Sequence, residues 1–207
     1  MIGVICPSAF EYEMLNVDWP AMGAQVVLSG MGKLRALEAC HKLNYKNDLR
    51  AILLLGFAGS LSDSLDIGDV IEPSVFIEQD YNVEPFEIFP NQVLMTREKL
   101  LAESKKAALL TQDRFLKENP YRGSKMETRY GALACDMEAY AVAYFGKTHG
   151  ISCSVVKLIS DRADDTAEHD FLKACRELAP KLNRVVSEAL EEMHRRAAGK
   201  IERAVLK

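Results

Sequence analysis

Acidic residues stand at the ends of several apolar runs in this chain. Glu11 and Glu13 follow IGVI (2–5) within PSAFEYEM, Asp136 and Glu138 follow GALAC (131–135), and Asp161 closes CSVVKLIS (153–160). Carboxyl groups gathered in this way can move protons, accept hydrogen bonds from hydroxyls or hold a cation. Two glycine-bearing stretches, LSGMGKLRA (28–36) and LLGFAGSLSDSLDIGD (54–69), mark two further run ends where backbone N–H groups could approach a small ligand. In open α/β sheets, ligands bind beyond the carboxyl ends of strands. Convergence of these ends at one edge therefore implies a small-molecule enzyme with acidic catalysis.

Each feature also has a plain structural reading. Asp136 suits a helix cap, and Glu138 a first helical turn. Glu11 and Glu13 could open a solvated helix. Asp161, with Asp164 and Asp165, could cap a helix or hold a divalent ion, although the spacing is not that of a fixed ligand set. SGMGKL is not a Walker loop, because Val27 stands where glycine is required and Leu34 follows the lysine. GFAGSL likewise misses the dinucleotide spacing.

The elements that must position these residues alternate. Runs at 2–5, 24–29, 51–56, 68–77, 107–111, 131–135 and 153–160 read as strands, and 33–43 and 137–149 carry apolar residues at helical spacing. The pattern predicts an α/β fold with strands buried between helix layers. From about Glu168 onward the composition is helical, with a break predicted at Pro180 and a charged helix or tail from about residue 195. Residues 79–92 form the longest stretch without clear periodicity.

With 207 residues, 48% hydrophobic and 27% charged, the chain fits one core and a single domain over 1–207. A formal charge of −4 argues against a nucleic-acid surface. No apolar run approaches a membrane span, and MIGVICPSAF lacks the pattern of a signal peptide. The five scattered cysteines form no C-x-x-C pair, and with these features they point to a reducing cytoplasm. Neither a metal nor a cofactor is signalled.

Taken in order, IGVI…FEYEM, SGMGK, GFAGSLSDSLDIGDVI, QDYNV, DMEAYAVA and VVKLISDRAD resemble the nucleoside phosphorylase/nucleosidase family, and within it the methylthioadenosine/S-adenosylhomocysteine nucleosidase branch. The resemblance covers most of residues 2–170. It implies a three-layer α/β/α sandwich around a mixed, partly barrel-like sheet, assembled as a homodimer or higher homo-oligomer. It also implies hydrolysis of the N-glycosidic bond of a purine nucleoside, with a 5′-modified adenosine as substrate. By the same matching Asp161 is the general acid at the base, oriented by Ser160, and Glu13 activates water, with Glu11 as the less favoured neighbour. Glu138 accepts hydrogen bonds from the ribose hydroxyls, and Met137 packs on the sugar. Phe115 and Leu116 cover the base, and Phe57, Ala58 and Gly59 complete the pocket.

Two positions depart from the family pattern. Phe57 stands where a small hydroxyl residue usually helps to hold the acceptor, and Lys157 replaces a common arginine. The connection between Glu13 and Ser29 is also short. Phosphorolysis is disfavoured, because Lys33, Arg35 or Lys157 would have to supply its cationic acceptor site. A nucleoside-binding module without turnover is the alternative that Phe57 keeps open.

Overall fold

A computed structural model describes residues 1–46, 48–81, 92–94, 99–120 and 131–205. The Val-, Ile- and Leu-rich runs form strands β1 (Ile2–Cys6), β2 (Ala24–Leu28), β3 (Ala51–Ser60), β4 (Val70–Ile71), β5 (Val75–Glu78), β6 (Gln92–Leu94), β7 (Ala108–Thr111), β8 (Ala132–Asp136) and β9 (Ser152–Asp161). Helices described among them are α1 (Ala9–Glu13), α2 (Lys33–Lys46), α3 (Ala139–His149), α4 (Ala167–Glu177) and α5 (Ala179–Val205).

The sheet runs β2-β1-β3-β8-β7-β5-β6, with β9 paired to both β3 and β4. It is mixed: β3 lies parallel to β1 and β9, whereas its last residues, Gly59 and Ser60, pair antiparallel with Cys135 and Ala134 of β8. β3 therefore leaves one group of strands and joins another, which curls the sheet. A register shift at Ala58/Gly59 sets Gly59 opposite Asp161, so the ends of β3, β8 and β9 meet.

Side chains alternate across the long strands, and each face buries its own layer. Ile52 and Leu54 of β3, with Cys153 and Val155 of β9, pack against Ala36, Cys40 and Leu43 of α2 and Val142 and Phe145 of α3. Leu53, Leu55 and Phe57, with Val156 and Leu158, pack against Cys175 of α4 and Leu182, Val186 and Leu190 of α5. Helices thus cover both faces of the sheet, in the predicted α/β/α arrangement.

The local differences have simple causes. The run at 68–77 is two strands, because Pro73 cannot donate to a ladder. GFAG is not a loop but the interior of β3. The helix break falls at Leu178, and Pro180 is accommodated in the first turn of α5, where its missing N–H costs little. Most of the aperiodic stretch 79–92 lies outside the described residues.

α3, whose first turn follows Glu138, is seated on β9 through Gly146. A Cβ there would collide with the Cys153 sulfur and lie 2.9 Å from the Ile151 carbonyl oxygen. Gly146→Ala should therefore destabilise the protein by about 1–3 kcal/mol, although alanine is the better helix former. Equilibrium denaturation measures this, and a neutral or stabilising result would mean that α3 can slide on the sheet.

Candidate active site

A cavity of about 480 Å³ opens where the ends of β1, β3, β8 and β9 converge. Four buried carboxylates line it: Glu11, Glu138 and Asp161, each about 3% exposed, and Asp136 at 8%.

Glu11 reaches the cavity because of how α1 begins. Ser8 caps the helix, and the Glu11 side chain folds back on it in a reciprocal capping box. Glu11 Oε2 accepts from the Ser8 N–H at 2.9 Å and from the Ser8 hydroxyl at 2.5 Å, while Oε1 accepts from the Phe57 N–H at 2.9 Å. Only glycine at 56 leaves room for this, since a Cβ there would collide with Glu11 Oε1.

Glu13 does not enter the cavity, which corrects the expectation from sequence. Residues two apart on a helix point about 200° from each other, so only one of the pair can face the sheet. Glu11 does, and Glu13 is exposed at the end of α1, away from the cavity lining. The Ser8-x-x-Glu11 spacing was the sequence signal that separates the two.

Asp161 is held at the end of β9. Its Oδ2 accepts from the Ser160 hydroxyl at 2.6 Å and its Oδ1 from the Ala163 N–H at 2.9 Å. Ala163 adopts φ +52°, which turns that N–H back toward the carboxyl. Gly59 makes room on the other side, where a Cβ would sit 2.8 Å from Oδ1. Burial raises the Asp161 pKa above the ordinary carboxylate range; the two hydrogen bonds oppose the rise, and the Asp164 and Asp170 charges add to it. Asp164 does not join Asp161 in an ion site but accepts from the Thr166 N–H and hydroxyl.

Asp136 and Glu138 divide their tasks. Asp136 takes the capping role, accepting from the Ala139 N–H at 3.0 Å and the Thr111 hydroxyl at 2.7 Å. Glu138 makes no cap bond, and its Oε1 accepts from the Gly32 N–H at 2.9 Å. Between them lies the Lys157 ammonium, 3.2 Å from Asp136 and 3.7 Å from Glu138, with its side chain 1% exposed. Burial pushes the Glu138 pKa up to about 7; Lys157 opposes this, and Asp136 and Glu11 reinforce it.

The remaining predicted residues, Met137, Phe115, Leu116, Ser160, Phe57, Ala58 and Gly59, all line the same cavity. The Phe57 and Phe115 rings meet the Phe171 ring edge-on, with centroids 6.0 and 6.1 Å apart. Sequence reasoning missed Phe171 of α4 and the Cys135 thiol, which burial holds protonated. Neither lies in a motif that would mark it.

With this geometry in place, the wider likeness is informative. Residues 10–191 match the model of the phosphorylase superfamily, and the chain belongs to that family. It is 30% identical over 161 residues to the 5′-methylthioadenosine/S-adenosylhomocysteine nucleosidase of Buchnera aphidicola subsp. Baizongia pistaciae, covering 69% of this chain and 64% of that protein. It is 25% identical over 160 residues to the aminodeoxyfutalosine nucleosidase of Campylobacter jejuni, covering 69% of each. Among solved structures, a Helicobacter pylori 5′-methylthioadenosine/S-adenosylhomocysteine nucleosidase superposes with a TM-score of 0.80 at 21% identity, over 92% of this chain and 97% of that one. At that identity the superposition establishes the fold. No helix among the described residues is long and apolar enough to cross a membrane.

The raised Asp161 pKa has a consequence for stability. A carboxyl whose folded pKa lies above its unfolded value favours folding when protonated, and that contribution is lost as pH rises through the folded pKa. Asp161→Asn keeps the acceptor for Ala163 and cannot ionise. It should melt at or above the wild-type temperature at pH 8, with the advantage shrinking toward pH 4. Melting curves at both pH values measure this, and an advantage that grows toward acid would contradict the assignment.

Proposed function

We propose that the protein hydrolyses the N-glycosidic bond of a purine nucleoside. The observation that carries this reading is the convergence of Glu11, Glu138 and Asp161 on one cavity, beside an aromatic wall at Phe115. Glu11 takes a proton from water, whose oxygen bonds to the anomeric carbon. The electrons of the C–N bond pass to the base, and Asp161 protonates it at N7. Cleavage develops positive charge on the sugar and negative charge on the base, so a carboxylate and a carboxylic acid on opposite sides of the bond suit it. The raised Asp161 pKa favours the protonated form that this role needs. Glu138, with two acceptor oxygens, receives the 2′- and 3′-hydroxyls, and Met137 packs beneath the ribose. Phe115 stacks on the base, while Leu116 and the β3 end at Ala58 and Gly59 enclose it.

A 5′-modified adenosine such as methylthioadenosine or S-adenosylhomocysteine is the substrate that the named relatives favour, with an aminodeoxyfutalosine-type nucleoside beside it. Phosphate as acceptor finds little support. Lys157 is paired with Asp136 and Glu138, Lys33 is paired with Glu78 and Asp80, and Arg35 is exposed and off the cavity lining. The cations that do line the cavity, Arg114 and Lys117, are exposed at its rim, and Lys117 pairs with Glu168. A second copy of the chain belongs to the same proposal: it would cover the exposed Leu34, Tyr45 and Tyr144 on the neighbouring helices α2 and α3.

Free-base release from methylthioadenosine, adenosylhomocysteine and aminodeoxyfutalosine, with and without phosphate, tests the reading. Release is expected without phosphate. Asp161→Asn and Glu11→Gln should each lose about 10²-fold or more in kcat, whereas Glu13→Gln should stay within about twofold of wild type. Release only with phosphate would make the protein a phosphorylase, and tight binding without release would make it a nucleoside-binding protein.

A further inference from the structure

Two walls of the cavity come from segments far apart in sequence, and one cluster of charges joins them. The first wall is the loop into α2, where Met31 lines the cavity and the Gly32 N–H donates to Glu138. The second is the segment after β7, where Phe115 and Leu116 line the cavity. Asp113 stands two residues before Phe115, and Lys33 follows Gly32. The Lys33 N–H donates to Asp113 Oδ1 at 2.7 Å, and the Asp113 N–H donates to Asp80 Oδ2 at 2.9 Å. The Lys33 ammonium, its side chain only 15% exposed, donates to Glu78 at 2.7 Å and to Asp80.

The loop requires such a restraint. Gly30 and Gly32 sit at φ +84° and +105°, conformations that glycine reaches readily and also leaves readily. Nothing intrinsic to the backbone fixes where the Gly32 N–H points. Its direction is set from outside, by Glu138 on one side of the peptide and by Asp113 on the next N–H. Asp113 also leaves little freedom at position 32, since a Cβ there would lie 3.1 Å from Asp113 Oδ1.

We infer that Lys33, Asp80 and Asp113 form an ionic clasp that sets the orientation of Glu138 through Gly32, and so govern how the site reads the ribose hydroxyls. This rests on the proposed nucleoside site. It assigns a positioning role to a lysine that a glycine-rich loop would otherwise suggest for phosphate. With the clasp open, the Gly32 carbonyl stays on the Ala36 N–H, but the Met31–Gly32 peptide can turn about the Gly32 φ, Glu138 loses a fixed donor, and its oxygens no longer meet the 2′-hydroxyl at one angle. The loss falls on ribose discrimination and leaves contacts to the base in place.

The test compares methylthioadenosine with its 2′-deoxy analogue, by kcat/KM and by calorimetric Kd, in wild type, Asp113→Ala, Lys33→Met and Lys33→Arg. The ribose-to-deoxyribose preference should fall about threefold or more in Asp113→Ala and Lys33→Met, as expected for one misdirected hydrogen bond, and mainly through KM. Lys33→Arg should restore it to within about twofold. An unchanged preference, or an equal loss for both nucleosides, would overturn the clasp and leave the cluster a purely structural one. Wild-type binding without turnover would remove the hydrolase reading, and the Kd ratios would then decide the clasp. Binding of neither nucleoside would overturn both.

Discussion

The site depends on one buried ammonium. Lys157 lies in the interior of β9, its side chain almost wholly buried, and Asp136 and Glu138 stand over it at 3.2 and 3.7 Å. Removing the lysine leaves two buried acids without their cation, which costs several kcal/mol. The group therefore fixes the relative positions of β9, which supplies the lysine, and of β8 and the start of α3, which supply the two acids. Asp136 extends the constraint to β7 through Thr111, and Glu138 extends it to the loop before α2 through Gly32. Four separate parts of the chain are held in register by this one charge.

Three of the cavity carboxylates, Glu11, Glu138 and Asp161, are tuned by what surrounds them. Among the described residues Asp161 has two hydrogen-bond donors and no paired cation, and burial dominates, favouring the neutral acid. Glu138 has Lys157 nearby, yet it must share that single charge with Asp136, and its pKa still rises to about 7. Glu11 lies across the cavity, gripped by Ser8 and the Phe57 N–H. Residues of like chemistry thus occupy unlike environments, as acid–base chemistry on two sides of one bond requires.

Much of this was legible in the sequence. The apolar runs marked the long strands because each is buried on both faces and so is continuously aliphatic. The glycines of β3 were read as the end of an apolar run, because spacing does not say whether a glycine serves a turn or the approach of another side chain. Gly56 and Gly59 serve the approaches of Glu11 and Asp161. The choice of Glu13 over Glu11 failed for a related reason. A motif match counts carboxylates along the chain, while helical geometry admits only one of two residues spaced by two. The charge cluster around Lys33 joins residues 33, 78, 80 and 113, a separation that no local pattern encodes.

Phe57 shows how a departure at one position can leave a site's geometry intact. Its ring follows the alternation of β3 and packs on the same face as Leu53 and Leu55, toward α4 and α5. What it gives Glu11 is its main-chain N–H, which any residue other than proline would supply. The ring adds an edge contact to Phe171, which in turn meets Phe115, so the core reaches the aromatic wall of the cavity through three rings. Where the resemblance implies a small hydroxyl residue, this chain brings hydrophobic packing to the same point and leaves hydrogen bonding to Glu11. On the proposed reaction, the attacking water is then held by a carboxylate against an apolar surface. Such a surface gives an inorganic anion no partner, and it favours a neutral acceptor over a charged one.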